Sequence, residues 1–339
     1  MEIGVTLFPD YPHERVLELA RLAEASGFRY LGIADSQSLA RDVYVALAGV
    51  ARETRRICIG PTVTNPLTRH PAVTASAMAS LDEACGGRAF LGVGSGDSAV
   101  LNLGLRPARL AQTREFLHAV RQLLQGGTVR YGEADIHARW VRRRIPLVLA
   151  AEGPRTLELG GELADAVLIH TGLTPEILES SIGGVREGER RAGRPPGSVG
   201  VWAFAKCSVA DTREAAIGEI KMGLAASAHH AFTATLEGKF LPPDLCDPVR
   251  RLLREYQTAQ HERAGATRNA ALSDELGLTE YLARRFAVVG DPESCRREIR
   301  ALTGRGVDVL FLTAIGPDPE RILRRLGDEV LPGLRNGTP

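Results

Sequence analysis

The feature that most constrains this chain is an apolar strand followed by an amphipathic helix, a unit that recurs eight times along 339 residues. "EIGVTLF" is a β-rich run closed by Pro9. "HERVLELARLAEASGF" follows with apolar residues at Val16, Leu19, Ala20, Leu22 and Ala23, a helical spacing ended by Gly27. The alternation returns as "YLGIA" with "VYVALAGVARET", "ICIGPTV" with "PAVTASAMASLDEA", and "AFLGVG" with "LAQTREFLHAVRQLL". After an extended excursion, "TVRYGEADIHARWVRRR", come the strands "IPLVLAA", "DAVLIHTG", "VGVWAFAKCSVA" and "VDVLFLTA", each with its own helix. Asp211 or Thr212 is the expected N-cap of the seventh helix. Near-continuous apolar strands require a parallel sheet covered by helices. Eight such units close into a (β/α)8 TIM barrel, an α/β fold, more naturally than into an open sheet. The pattern predicts one domain over residues 1–339, with a mostly helical insertion at about 222–290, between units seven and eight, lying over the barrel mouth.

Charge and composition remove several classes of function. Lys and Arg number 42 against 41 Asp and Glu, so the basic excess that draws a protein to nucleic acid is missing. No apolar run approaches the ~20 residues that span a bilayer, and "MEIGVTLFPD" lacks the basic start and long apolar stretch of a signal peptide. A cytoplasmic protein without membrane or nucleic-acid partners is expected. Cys58, Cys85, Cys207, Cys246 and Cys295 are far apart and form no CxxC or Cys/His cluster, so neither a disulfide framework nor a metal site is expected.

In a barrel of this kind the active site lies at the C-terminal ends of the strands. Those ends are rich in small and polar residues: Asp35, Ser36 and Gln37; Thr62 to Asn65; Ser95 to Asp97; Ala151 to Gly153; His170 to Gly172. The most suggestive is "LGVGSGD", Leu91 to Asp97. It is not a dinucleotide fingerprint, because Asp97 stands where the third glycine belongs and the loop follows a fourth strand rather than a first. Nor has it the spacing or the Lys-Ser/Thr of a phosphate-binding loop. What remains is a strand end with almost no side-chain bulk, against which a planar ligand can lie, with Ser95 and Gly96 at its edge and then a carboxylate. Asp97 has two open readings, a helix cap or a proton-transferring group beside a ring.

"TVTNPLTRHPAVTASAMASLDEACGGRAFLGVGSGDSAVLNLG", Thr62 to Gly104, resembles the signature of the luciferase-like flavin oxidoreductase superfamily, in particular the branch containing methylenetetrahydromethanopterin reductase. The resemblance continues through "YGE", "RRIPLVLAAEGPRTLELGGELADAVL" and "FAVVGDPESCRREIRALTGRGVDVLFL". It implies a (β/α)8 barrel holding FMN or the deazaflavin coenzyme F420 at its mouth, with a non-proline cis peptide at Thr62-Val63 against the ring. By the same resemblance Asp35 and Asp97 are the family's acidic residues after strands two and four. Ser36 stands where several deazaflavin-using relatives carry His, which leaves His170 as either a substitute acid/base or, as a lone His more often is, a structural hydrogen-bonding residue. Asn65 joins the ring site. Glu152 and Gly153, at a helix start, together with Thr171 and Gly172, are expected to take the cofactor's phosphate. Arg69 either faces the cofactor tail or binds the neighbouring carboxylates. Trp202 and Phe204 either line the mouth or belong to the barrel core, the core being the favoured place.

The first expectation is therefore hydride transfer between coenzyme F420, or reduced FMN, and a small organic substrate, with Asp97 moving a proton if burial raises its pKa. The alternative is a two-component monooxygenase using O2 and FMNH2 from a separate flavin reductase. A third reading is a non-enzymatic flavin-binding protein. The resemblance also implies a homodimer.

Overall fold

A computed structural model describes residues 1–335 of the chain except 264 and 266. Its strands are β1 Glu2–Leu7, β2 Tyr30–Ile33, β3 Cys58–Pro61, β4 Leu91–Val93, β5 Thr128–Tyr131, β6 Ala134–His137, β7 Leu147–Ala151, β8 Ala166–Ile169, β9 Gly200–Val209, β10 Ala287–Gly290 and β11 Val309–Thr313. The helices used below are α1 His13–Ser26, α2 Val43–Glu53, α3 Pro71–Ala84, α4 Ser98–Leu101, α5 Leu110–Leu124, α6 Pro154–Leu163, α7 Pro175–Arg191, α8 Arg213–Phe232, α9 Cys246–Glu255, α10 Arg268–Glu275, α11 Thr279–Phe286 and α12 Pro292–Thr303.

Eight strands pair in the order β3-β2-β1-β11-β9-β8-β7-β4, every pair parallel. The ends of that path also meet. Ile59 and Thr64 bridge to Ala89 and Val93, and the Gly94 amide donates to the Thr64 carbonyl at 2.8 Å. The sheet is thus a nearly closed (β/α)8 barrel made of the eight expected units. The excursion after α5 is an antiparallel hairpin, β5 with β6. Among the described residues no helix is long and apolar enough to cross a membrane.

Two features of the predicted insertion differ. Residue 222 is not a boundary, because α8 runs unbroken to Phe232, started by Thr212, whose hydroxyl accepts from the Ala215 amide at 3.2 Å. Its second half, "MGLAASAHHAF", is buried nearly all round, so no polar face marks where it leaves the barrel. "AVVG" is a strand, β10, paired parallel with Lys206–Val209. At ten residues β9 outreaches its barrel neighbours, and buried amides and carbonyls beyond their ends need partners. A four-residue apolar run between two helices carries too little pattern to announce this.

The lower half of the barrel is filled by Tyr30, Phe90, Trp202 and Phe311, with Trp202 stacked on Phe311 at 5.4 Å. Gly4 makes room for this layer, since a Cβ there would lie 2.9 Å from the Phe311 ring. Strand period then places the next inward residues, Phe204 and Thr313, above the aromatic plug.

Candidate active site

Above that plug, the C-terminal strand ends enclose a cavity of about 410 Å³. Trp202 is core as expected, but Phe204 lines the cavity, because two residues further up a strand is the same face one layer higher. One wall comes from β3 and β4. The Thr62-Val63 peptide is cis, as the resemblance implied, and both residues line the cavity beside Asn65, Gly94, Ser95 and Gly96. The glycines have separate duties. A Cβ on Gly92 would lie 2.4 Å from the Pro61 carbonyl oxygen, so this glycine lets β3 and β4 approach. A Cβ on Gly94 would press on Val63, and Gly96 holds φ +98° with Val100 against it, so these two keep the cavity wall flat.

Asp97 resolves its two readings in an unexpected direction. It stands at the N-cap of α4, yet its side chain makes no capping hydrogen bond. The carboxylate turns instead to His230 Nδ1 at 3.5 Å and His261 Nε2 at 3.9 Å. Burial pushes its pKa up, but the His230 contact and charge, with His261 and His229 behind them, outweigh burial and hold the group below the ordinary carboxylate range. The raised pKa required of a proton donor is therefore absent, and Asp97 is an anion.

The same imidazole meets a second anion. His230 Nε2 lies 3.0 Å from Glu152 Oε1, and that oxygen also faces His170 Nδ1 at 3.2 Å. Burial opposes charge on His230, but Glu152 and Asp97 overcome it and raise its pKa well above 6.5. For His170 burial prevails over Glu152 and lowers the pKa, leaving a neutral ring set edge-on to Phe204 at 4.8 Å. Glu152, despite burial, is held well below its usual range by His230 and His170. Ligand atoms of Glu152, His170 and His230 lie within 4.8 Å of one another, a spacing that suits a shared cation.

Behind this array Asp35, with its side chain 1% exposed, accepts from Thr64 Oγ1 at 2.6 Å and Arg69 Nη1 at 2.5 Å. Arg69 also reaches Asp42 at 2.7 Å and lies over the Tyr44 ring, so it binds carboxylates and does not face a cofactor tail. Ser36 pairs with Ser98 at 2.9 Å, tying the end of β2 to α4. Asn65 Oδ1 accepts from the Leu67 and Thr68 amides, each at 3.0 Å, while its buried Nδ2 has no partner. Gly153 starts α6 with Pro154 next, both lining the cavity, and Lys239 Nζ closes over them by donating to the Glu152 carbonyl at 2.9 Å.

Of the residues singled out in the sequence, Thr171 and Gly172 are not brought to the cavity lining. The Thr171 carbonyl accepts from Arg285 Nε at 2.9 Å, and a Cβ on Gly172 would lie 2.9 Å from Arg285 Cγ. Buried Arg285 thus packs directly on this strand end. Sequence reasoning missed His230, His261, Lys206, Lys239 and Glu262, all of which line the cavity. Lys206, 2% exposed, is ion-paired with Glu262. One signal was available. The chain has three lysines, and two of them, Lys206 and Lys239, are here; elsewhere Arg stands for nearly every basic residue, Lys221 being the third lysine.

Comparison with known proteins gives consistent matches. The luciferase-like monooxygenase family matches residues 1–309. The chain is 30% identical to 5,10-methylenetetrahydromethanopterin reductase of Methanopyrus kandleri, over 99% of each chain. It is also 30% identical to F420-dependent glucose-6-phosphate dehydrogenase of Nakamurella multipartita, over 85% of this chain and 81% of that one. The solved coenzyme F420-dependent tetrahydromethanopterin reductase of M. kandleri superposes with a TM-score of 0.78 at 29% identity, covering 98% of this chain and 99% of that one.

Proposed function

The chain belongs to the luciferase-like monooxygenase family, and from that premise we propose that it is an oxidoreductase passing hydride between coenzyme F420 and a small organic substrate. The observation that carries this reading is a flat, glycine-lined wall with a proton-bearing array, Asp97–His230–Glu152, around the same cavity. A redox site that moves hydride needs a dry surface for a planar ring and a group that balances charge at the reacting atoms.

The residues present fit such a coenzyme. Asn65 Nδ2, Thr313 Oγ1 and His170 Nε2 are buried, unpartnered and carried by residues lining the cavity, as expected of groups that wait for a polar ring edge. Thr62, Val63, Ser95 and Gly96 would hold the ring, with Ser36 and Asn65 at its edge. Asp35 supports that wall through Thr64. Gly153 and the backbone of Glu152 would hold the phosphate end, where the α6 amides and Lys239 favour an anion, while the Glu152 carboxylate faces away to His230. When bound, coenzyme F420 supplies two-electron hydride chemistry. The protein binds and orients the reactants, excludes water with the α8–α11 segment, and holds a proton at His230. Asp97 and His170 remain in the site in changed roles, Asp97 as an anion that keeps His230 charged and His170 as a neutral hydrogen-bonding ring.

The substrate is argued to carry a carbon bonded to nitrogen or oxygen, since a proton beside the hydride acceptor is useful only to a heteroatom. Methylenetetrahydromethanopterin, named for the archaeal relative, is the first acceptor to test. A homodimer in the cytoplasm accords with the resemblance.

Anaerobic titration with F420 and with FMN separates this reading from the alternative. Saturable F420 binding at micromolar concentration, with FMN at least tenfold weaker, is expected. Tight binding of reduced FMN, followed in air by a peroxyflavin spectrum, would favour the two-component monooxygenase.

A further inference from the structure

We propose that His230 is the proton-exchanging catalytic residue of this site: wedged between the carboxylates of Asp97 and Glu152 and facing the cavity, its imidazole gives the substrate the proton that accompanies hydride. The proposal rests on the deazaflavin reading above and names the residue that reading requires.

A neutral imidazole has one N–H donor and one acceptor nitrogen, and a carboxylate only accepts. His230 has a carboxylate within ion-pair distance of each nitrogen, at 3.5 Å on Nδ1 and 3.0 Å on Nε2, an arrangement that favours the imidazolium over either neutral tautomer. The two contacts are unequal. The shorter one holds Nε2, and Nδ1–H, which has the longer one, is the proton more readily given up. The ring is carried by α8, a twenty-residue helix packed on β9 and β10, so its position is fixed by the barrel rather than by a loop.

Most other titratable groups at the cavity are already committed, Asp35 to Thr64 and Arg69 among them, and Glu237 is an exposed carboxylate at the rim. Asp97 and Glu152 are ionised. His170 is uncharged, and Lys206 is paired with Glu262. Lys239 donates to the Glu152 carbonyl. His261 takes the Tyr256 hydroxyl at Nδ1, 2.8 Å away, and reaches Asp97 only at 3.9 Å. His229, next along α8, stacks on Tyr256 at 4.1 Å.

The balance in the reducing direction is one hydride and one proton. Hydride from the reduced deazaflavin forms a bond to the substrate carbon, and the electron pair of that carbon's π or σ bond to nitrogen or oxygen moves onto the heteroatom. The heteroatom takes the proton from His230 Nδ1. The substrate gains two electrons, the coenzyme loses two, and neutral His230 regains its proton from solvent. Oxidation runs the same path in reverse.

Two measurements test the proposal. In the cofactor-free protein, the His230 ring resonance, identified by its loss in His230→Asn, is expected to titrate well above pH 6.5 and to fall by at least one pH unit in Asp97→Asn. With reduced F420 and methylenetetrahydromethanopterin as the acceptor probe, His230→Asn is expected to lose at least a hundredfold in turnover, the scale of a general acid. F420 affinity should stay within about threefold and the alkaline limb of the pH profile should disappear; circular dichroism checks the fold. A His230 resonance titrating at or below 6.5, or turnover within threefold of wild type in His230→Asn, would overturn the proposal alone. A wild-type protein that binds no F420 would overturn the deazaflavin reading and this one with it.

Discussion

Replacing Gly94 by valine is expected to weaken F420 binding by about ten- to a hundredfold in a protein that still folds. A Cβ at this position would lie 2.9 Å from Val63 Cγ2 and 3.7 Å from the Ala150 Cβ. Valine adds two further methyls, and Val63, branched at Cβ, has no easy rotamer to retreat into. Overpacking of this kind costs about 1–3 kcal/mol. The nearest relief is displacement of Val63 toward the cavity, so the cost falls on the bound state; at about 1.4 kcal/mol per factor of ten it gives the stated loss. Fluorescence titration with F420 measures the effect, and a melting curve verifies the fold. An unchanged Kd would mean that the ring lies elsewhere.

Arg69→Met is expected to destabilise the protein by about 3–5 kcal/mol, the cost of leaving one member of a buried ion pair behind. Asp35 is almost fully buried, and burial already pushes its pKa above 3.8 against the pull of Thr64 and Arg69. Without Arg69 that pKa rises further. The folded state then holds a proton that the unfolded chain has released, so stability falls as pH rises from 3.8 through the folded value. The deficit should therefore be larger at pH 7 than at pH 4, and Asp35→Asn in the same background should recover part of it. Denaturant unfolding at both pH values decides. A loss below 1 kcal/mol, or the same loss at both, would show that the pair carries little. The outer contact of Arg69 with Asp42, which is half-exposed, is expected to matter far less.

These two sites show where the sequence was readable. Gly94 and Asp35 follow strand ends whose apolar runs are unmistakable, and the barrel rule alone marks them as cavity residues. The eight barrel strands were legible for the same reason. His230 was not, because it sits near the end of a helix of small and apolar residues that continues past the barrel without a change of pattern. His261 and Glu262 come from the inserted segment, where no periodicity says which side chains return to the mouth. Asp97 was found, but its chemistry was not. Its position came from local sequence, whereas its pKa is set by His230, 133 residues away along the chain. Thr171 and Gly172 stand at a strand end as the barrel rule places them, and Arg285, a residue of the insertion whose side chain local sequence could not place, packs on both.

A crystal structure with oxidised F420 bound decides whether this cavity holds the deazaflavin ring with His230 at the reacting face. The ring is expected in van der Waals contact with Val63 and Gly94, the phosphate end at Gly153 and Lys239, and the His230 ring beside the space left for substrate. F420 seated outside this cavity, or a ring turned so that His230 has no access to that space, would contradict this placement.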